Sequence, residues 1–372
     1  MNDPRARPVD VPIYPSVSYE FADAAAWEAF LEDPSLGYIY TRWANPTTRA
    51  IEARLARLEG AETARLLGSG LGAIAAVALA LAAPGRRVLH ATGLYGGTYH
   101  LLYDILGRFG VEVAPGDEPD GRTAFLYAET ISNPTLGVAD LEALAARARA
   151  AGCPLVVDNT IATPHHCRPV ERGAAIVCES ATKALGGHGD LMAGVVAGRA
   201  DLVDEIDRGT ARNLGAVSSP HDAWLLGRGL KTFALRAARQ SATALGLARA
   251  LEGDGRVRRV LYPGLPSHPD HALAARTLAG GFGALVTLDL GSLERAKAFI
   301  DALRVIRRAA SLGGVESLVS IPVLSSHYKI PPAALEREGV TPGMVRLSFG
   351  IEEPADLRAD LDRGLAAAAG RG

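Results

Sequence analysis

Three short stretches hold side chains that could do chemistry together. In Ser180-Ala181-Thr182-Lys183 a lysine sits among small and hydroxyl residues, directly after an apolar run that reads as a strand. That is a poor place for a solvated lysine. A buried lysine has a lowered pKa and forms Schiff bases with carbonyl compounds. In Val156-Val157-Asp158-Asn159-Thr160 an aspartate ends another apolar run. Taken alone, it is either a cap for the next helix or a carboxylate for a ligand. In Leu67-Gly68-Ser69-Gly70-Leu71-Gly72 small residues precede an Ala-rich stretch. There, backbone N–H groups can approach a phosphate at the positive end of a helix. Gly68, Gly70 and Ala73 also satisfy a relaxed dinucleotide fingerprint. That motif needs an acidic residue at the end of the next strand, about 20 residues on; His90-Ala91-Thr92 supplies none.

The elements around these stretches alternate. Pro8, Pro12 and Pro15, with Pro4 before them, suppress helix, so the first forty or so residues read as an extended arm that must pack on something, with a second subunit a natural choice. Asn45-Pro46 starts a helix that Gly60 stops. Strands are predicted over 87–91, 123–129, 155–158, 174–178 and 193–197, and helices over 71–83, 98–109 and 141–150. Strands apolar on both faces, alternating with helices, imply a mostly parallel sheet covered on both sides. One long helix is predicted over 220–251. Beyond it, strands at 257–262, 284–290 and 344–349 and helices at 293–303 and 355–369 read as a smaller α+β domain. In open parallel sheets ligands sit beyond the carboxyl ends of strands, which is where Asp158 and Lys183 fall.

Composition narrows the function classes. The chain has 372 residues, 48% hydrophobic and 22% charged, which fits a packed globular protein. Its formal charge of −2 argues against a nucleic-acid partner and against a polybasic membrane anchor. Three cysteines, Cys153, Cys167 and Cys178, have no zinc-ligand spacing and form no disulfide framework, so no metal is expected and the reducing cytoplasm is the expected compartment. The N-terminus lacks the cationic start and apolar core of a secretory signal. The longest apolar stretch, 71–83, is too short to span a membrane.

A lysine for an imine, an aspartate to keep a pyridine nitrogen protonated and a helix N-terminus with hydroxyls for a phosphate match one cofactor, pyridoxal 5′-phosphate (PLP). Gly70 and Leu71 N–H groups, Ser180 and Thr182 would make its phosphate site. At this point the sequence resembles the Cys/Met-metabolism family of fold-type-I PLP enzymes. The resemblance runs from about residue 15 to residue 365 and is carried by nine segments in the family's order: YIYTRWANPT (38–47), GSGLGAI (68–74), LYGGTY (94–99), ETISNPT (129–135), VVDNT (156–160), ESATKALGGHGD (179–190), SPHDAWLLGRGLKT (219–232), SLGGVESL (311–318) and VRLSFGIE (345–352).

The resemblance implies an α/β, fold-type-I PLP-dependent transferase fold with a mostly parallel central sheet and a smaller C-terminal α+β domain. It divides the chain into an arm over 1–41 that contacts a neighbouring subunit, a PLP-binding domain over 42–235 and a C-terminal domain over 236–372. It makes Lys183 the Schiff-base lysine and proton shuttle, and Asp158 the partner of the pyridinium nitrogen. Tyr95 stacks on the ring and acts as acid or base at the leaving group. Tyr40 and Arg42 reach the phosphate of the neighbouring subunit, which implies at least a dimer; the family is usually a homotetramer of two such active-site-sharing dimers. Arg346 clamps the substrate carboxylate, with Ser311 and Asn133 assisting. A non-catalytic scaffold of this shape would be expected to have lost Lys183, Asp158 or Arg346; all three are present.

The implied chemistry is elimination or replacement at the γ-carbon of a sulfur amino acid. Enzymes of the family that handle cystathionine often have Glu before the Tyr of Tyr-x-Arg and before the Ser of Ser-Leu-Gly. Here those positions are Ile39 and Ala310. A distal ammonium facing them would lose water without a partner. This pattern resembles methionine γ-lyase and predicts conversion of L-methionine to methanethiol, 2-oxobutanoate and ammonia. Gly97 departs from it, since methionine γ-lyases usually carry Cys there and cystathionine enzymes Gly. Cystathionine γ-lysis and γ-replacement on an O-acylhomoserine are the alternatives.

Overall fold

In the computed structural model, which describes residues 8–370, the alternating strands assemble into two sheets. The first comprises β1 (Thr63–Leu67), β2 (Arg87–His90), β3 (Glu112–Pro115), β4 (Thr123–Glu129), β5 (Leu155–Asp158), β6 (Ile176–Glu179) and β7 (Gly194–Gly198). Their order across the sheet is β1-β7-β6-β5-β4-β2-β3. Only β7 runs against the others, pairing antiparallel with β1 and with β6. The two-residue period of the strands sends alternate side chains to opposite faces. Phe125, Tyr127 and Val156 join a core with Ala73, Ile74 and Val77, while Leu126, Ala128, Leu155 and Val157 join another with Leu141, Leu144 and Ala148. Both faces are covered by helices, which is why these strands read as unbroken apolar runs.

The second sheet holds β8 (Arg259–Leu261), β9 (Leu285–Asp289), β10 (Arg307–Arg308), β11 (Leu318–Ser320) and β12 (Met344–Ser348), in the order β10-β11-β12-β9-β8. On β12 the alternation matters for the site. Val345 and Leu347 enter a core with Phe299, Leu361 and Leu365. Arg346 points the other way, where its register partner Thr287 donates from Oγ1 to Pro134 O at 2.6 Å.

Several expectations need correction. The arm is not extended throughout: α1 (Ala24–Glu32) forms behind Asp23, whose Oδ1 accepts Ala26 N–H. Its Ala-rich sequence and cap outweigh the prolines, which all precede it. Pro4 and the rest of residues 1–7 lie outside the described residues, as do residues 371–372. The long helix is two, Pro220–Leu230 and Phe233–Leu251. At the break, Lys231 N–H and Thr232 N–H tighten onto Arg228 O and Gly229 O, three residues back rather than four. The segment 98–109 is helical but starts at Gly96 and changes its winding twice, as a π-type turn over His100–Ile105 and a 3₁₀ turn over Leu106–Phe109. Asn45 caps α2 (Pro46–Glu59) through Thr47 N–H, and Gly60 ends it in the left-handed region, φ 68°. The helix after the Gly-rich turn is α3 (Gly70–Leu81).

Cys153, Cys167 and Cys178 are free and buried. Burial pushes the Cys167 thiol up to about 12, and Cys178 is raised as well. No helix among the described residues is long and apolar enough to cross a membrane.

Candidate active site

The carboxyl ends of β4, β5 and β6 open into a cavity of ≈ 430 Å³. Lys183, Asp158, Tyr95, Gly70, Leu71, Ser180, Thr182, Asn133, Ser311, Arg346 and Ala310 all line it. The sequence therefore predicts most of one wall-to-wall site, drawn from both sheets. Tyr40, Arg42 and Ile39 are not among its lining residues. They sit on a loop tied elsewhere: Arg42 Nη1 donates to Arg212 O at 3.0 Å, and the Arg212 guanidinium lies 5.4 Å from the centre of the Trp43 ring. Arg212 is held in turn by buried Asp207 at 2.7 Å, which also pairs with Arg65 at 3.0 Å.

Lys183 lies in the turn after β6. Gly186 N–H and Gly187 N–H bond back to Ala181 O and Lys183 O. Buried Arg236 donates to Ala184 O at 2.7 Å and to Gly229 O at 2.9 Å. One helical turn on, Gln240 donates to Gly314 O at 2.6 Å. A single helix thus braces both the Lys183 turn and the loop that carries Ser311. Lys183 Nζ donates to Ser311 Oγ at 2.9 Å. Burial and the neighbouring Arg346 charge lower its pKa, which favours the neutral amine.

Asp158 is raised by burial, against the pull of Thr160, whose N–H donates to Asp158 Oδ1 at 2.8 Å, and of Tyr127 OH at 3.5 Å. A cation in the cavity would restore the charged form. Arg346 is 5% exposed, and burial brings it down to about 10. It donates to Asn133 Oδ1 at 3.2 Å and Ser311 O at 2.8 Å, and its Nε has no protein partner. A buried guanidinium in this state is suited to a carboxylate.

The residues fit PLP. α3 begins under the turn after β6 so closely that a Cβ on Gly70 would lie 2.6 Å from Ser180 Cβ. Only glycine permits that approach, which brings the first N–H groups of α3, unpaired within any helix, beside the Ser180 hydroxyl. Thr182 Oγ1 accepts Ala193 N–H at 3.0 Å and donates to Ala193 O at 3.2 Å, which fixes it in the same corner. Lys183 and Asp158 stand as amine and acid in the same cavity.

Sequence reasoning passed over Glu129, Thr160, Met192, Ser325 and Ser326, which also line the cavity. Glu129 ends β4 as Asp158 ends β5, so the strand-end rule could have found it. Ser325 and Ser326 follow β11 in the second sheet and carry no local signal.

Behind the cavity, Glu59 ends α2 and Glu179 ends β6, 1% and 2% exposed. Both Glu59 oxygens and one of Glu179 have no donor. Two neighbouring buried carboxyls cannot both ionise cheaply. Burial pushes Glu59 up to about 8, and burial with the Glu59 charge raises Glu179. The folded state holds this proton and the unfolded state releases it at the ordinary value of 4.5. Its stabilisation is complete below 4.5 and is lost as pH rises through about 8. Thermal melts of Glu59→Gln against the parent should show a gain of more than about 2 °C near pH 9 and a smaller one near pH 5; equal shifts at both would count against a shared proton.

Residues 1–366 match the model of the family described as Cys/Met metabolism PLP-dependent enzyme. The chain is 39% identical over 369 residues to L-methionine gamma-lyase of Pseudomonas putida, covering 96% of this chain and 92% of that protein. It is 38% identical over 372 residues to cystathionine gamma-lyase of Bacillus subtilis, covering 98% and 96%. A crystal structure from Campylobacter jejuni, described as an O-acetylhomoserine (thiol)-lyase with N′-pyridoxyl-lysine-5′-monophosphate, superposes with a TM-score of 0.93 at 29% identity over 98% of this chain and 96% of that one. With a lysine, an acid and a phosphate cradle meeting at the strand ends and the family's pattern running almost from end to end, the chain belongs to the Cys/Met metabolism family of PLP-dependent enzymes.

Proposed function

We propose that the protein is a carbon–sulfur lyase that converts L-methionine to methanethiol, 2-oxobutanoate and ammonia. The observation that carries this reading is the cavity lining. Among the described residues its only carboxylates are Asp158 and Glu129, and Ala310, Ile131, Ile161, Leu312 and Met192 make much of the rest. Glu129 is engaged by Tyr95 N–H, and Asp158 is kept for the pyridine nitrogen. A distal ammonium would be desolvated there without a partner, at a cost of several kcal/mol. A thioether methyl would gain roughly 0.8 kcal/mol per buried CH₂-sized unit.

Bound PLP supplies the electron sink that makes the substrate's Cα proton removable. Lys183 Nζ attaches the cofactor; displaced by the substrate's amino group and favoured as the neutral amine, it would take the proton from Cα, return that proton to the bound substrate–cofactor pair, and, neutral again, take one from Cβ. Ser311 Oγ orients that nitrogen. Asp158 holds the proton on the pyridine nitrogen. Arg346, steadied by Asn133 and Ser311 O, binds the substrate carboxylate. Tyr95 OH gives a proton to the departing sulfur. Gly70, Leu71, Ser180 and Thr182 hold the phosphate, and Tyr40 and Arg42 of a neighbouring subunit complete it, with Ile39 closing the pocket beside Ala310. The exposed Tyr14, Trp27, Leu31 and Leu36 of the arm give that neighbour an apolar surface to cover.

Gly97 favours a second reading, cystathionine as substrate. A Cβ there would lie 2.6 Å from Tyr95 Cε1, so the cysteine of methionine γ-lyases would displace the ring as it stands here. A panel of methionine, cystathionine, homocysteine, cysteine and O-acylhomoserine, followed for 2-oxo acid and thiol release, separates the two. The expected result is a kcat/KM for methionine at least about tenfold above that for cystathionine. The double variant Ile39→Glu, Ala310→Glu should move the ratio toward cystathionine. A parent ratio in favour of cystathionine would overturn the methionine reading.

A further inference from the structure

Tyr95 lines the cavity and is 43% exposed in the single chain. Within this chain its position depends chiefly on its backbone. Tyr95 precedes the short helix Gly96–Tyr99 with no side-chain cap. Its carbonyl accepts Tyr99 N–H at 2.9 Å. The next residue is pinned: a Cβ on Gly96 would lie 1.8 Å from Ser326 O. The remaining backbone handle is Tyr95 N–H, which donates to Glu129 Oε1 at 2.5 Å.

Glu129 is itself rigid. It ends β4 as the register partner of Asp158, is 3% exposed, and donates from its own N–H to Thr92 Oγ1 at 2.9 Å. No cation among the described residues pairs with it, and burial together with Asp158 raises its pKa well above the usual carboxylate value. A chain that needed only a strand end here would do better with an apolar residue. The costly carboxyl is kept where it accepts the backbone N–H of Tyr95.

We propose that Glu129 is a positioning residue that sets, through Tyr95 N–H, the phenol at the leaving group. This rests on the role given above to Tyr95. It goes beyond that role in assigning the alignment of the phenol to the carboxyl that ends β4.

Three variants of the PLP-loaded enzyme test it. Glu129→Gln keeps an acceptor at the same reach, Glu129→Asp keeps the carboxyl and loses the reach, and Glu129→Ala loses both. Amide hydrogen exchange without substrate reads the segment 94–99. Ala and Asp should speed exchange there by at least about tenfold, while Gln stays within about threefold of the parent. With whichever amino acid of the panel reacts, kcat should fall at least about tenfold in Ala and Asp and recover in Gln. Parent-like protection of 94–99 in Asp, or loss of protection in Gln equal to that in Asp, would overturn the proposal. Should Ala fail to fold, the Gln and Asp pair decides alone. The exchange readout needs no turnover, so a failure of the methionine reading leaves it standing.

Discussion

Lys183→Ala should lose the visible absorbance of a lysine-attached cofactor and at least about 10³-fold of its turnover. The expectation follows from how little else in the cavity can replace Nζ. Arg346 is brought down only to about 10 and stays a cation. Asp158 and Glu129 are acids occupied at their strand ends. Among the described residues, Lys183 is the one lysine that lines the cavity. Lys297 lies exposed on the helix Leu293–Ala302, so Lys297→Ala serves as the control and should keep both colour and activity. Absorbance spectra and 2-oxo acid release on the two purified variants decide it. Parent-like turnover in Lys183→Ala would sink the assignment of this residue.

The second large effect is a recovery. Arg42→Ala and Lys183→Ala should each be nearly inactive, yet refolding an equal mixture should restore about one quarter of the parent's active sites. The reasoning is geometric. The loop of Tyr40 and Arg42 is anchored by Arg212 and does not line its own chain's cavity. If it serves a neighbour, each mixed dimer has one site with an intact lysine from one chain and an intact arginine from the other. Half the dimers are mixed and half of their sites are intact. Activity and cofactor absorbance of verified mixed dimers measure this, and no recovery would place Arg42 in its own chain's site.

How far the sequence reached depends on where each signal comes from. β4, β5 and the helix Leu141–Ala150 match their predicted bounds residue for residue, because each is an apolar segment bounded by turn residues. β1 was missed because Arg65 interrupts a short run, and only the ion pairs to Asp204 and Asp207 explain why an arginine sits in that strand. β3 was missed because it is an edge strand with little burial. The helical region over 200–214 was missed because its charges mask the buried Val203, Ile206 and Ala211. Within the site, the strand-end rule finds Asp158 and Lys183 from residues alone. It cannot find Arg346, which reaches the cavity from another sheet and was legible only through the family's pattern.

The three cysteines bear on life with the proposed product. An enzyme that releases methanethiol bathes itself in a nucleophile that oxidises readily to a disulfide. Exchange with such a disulfide requires a protein thiolate that is both ionised and reachable. Cys153, Cys167 and Cys178 are buried, and burial raises the pKa of all three. The fold therefore offers such a proposed product no exposed, ionised thiol to capture.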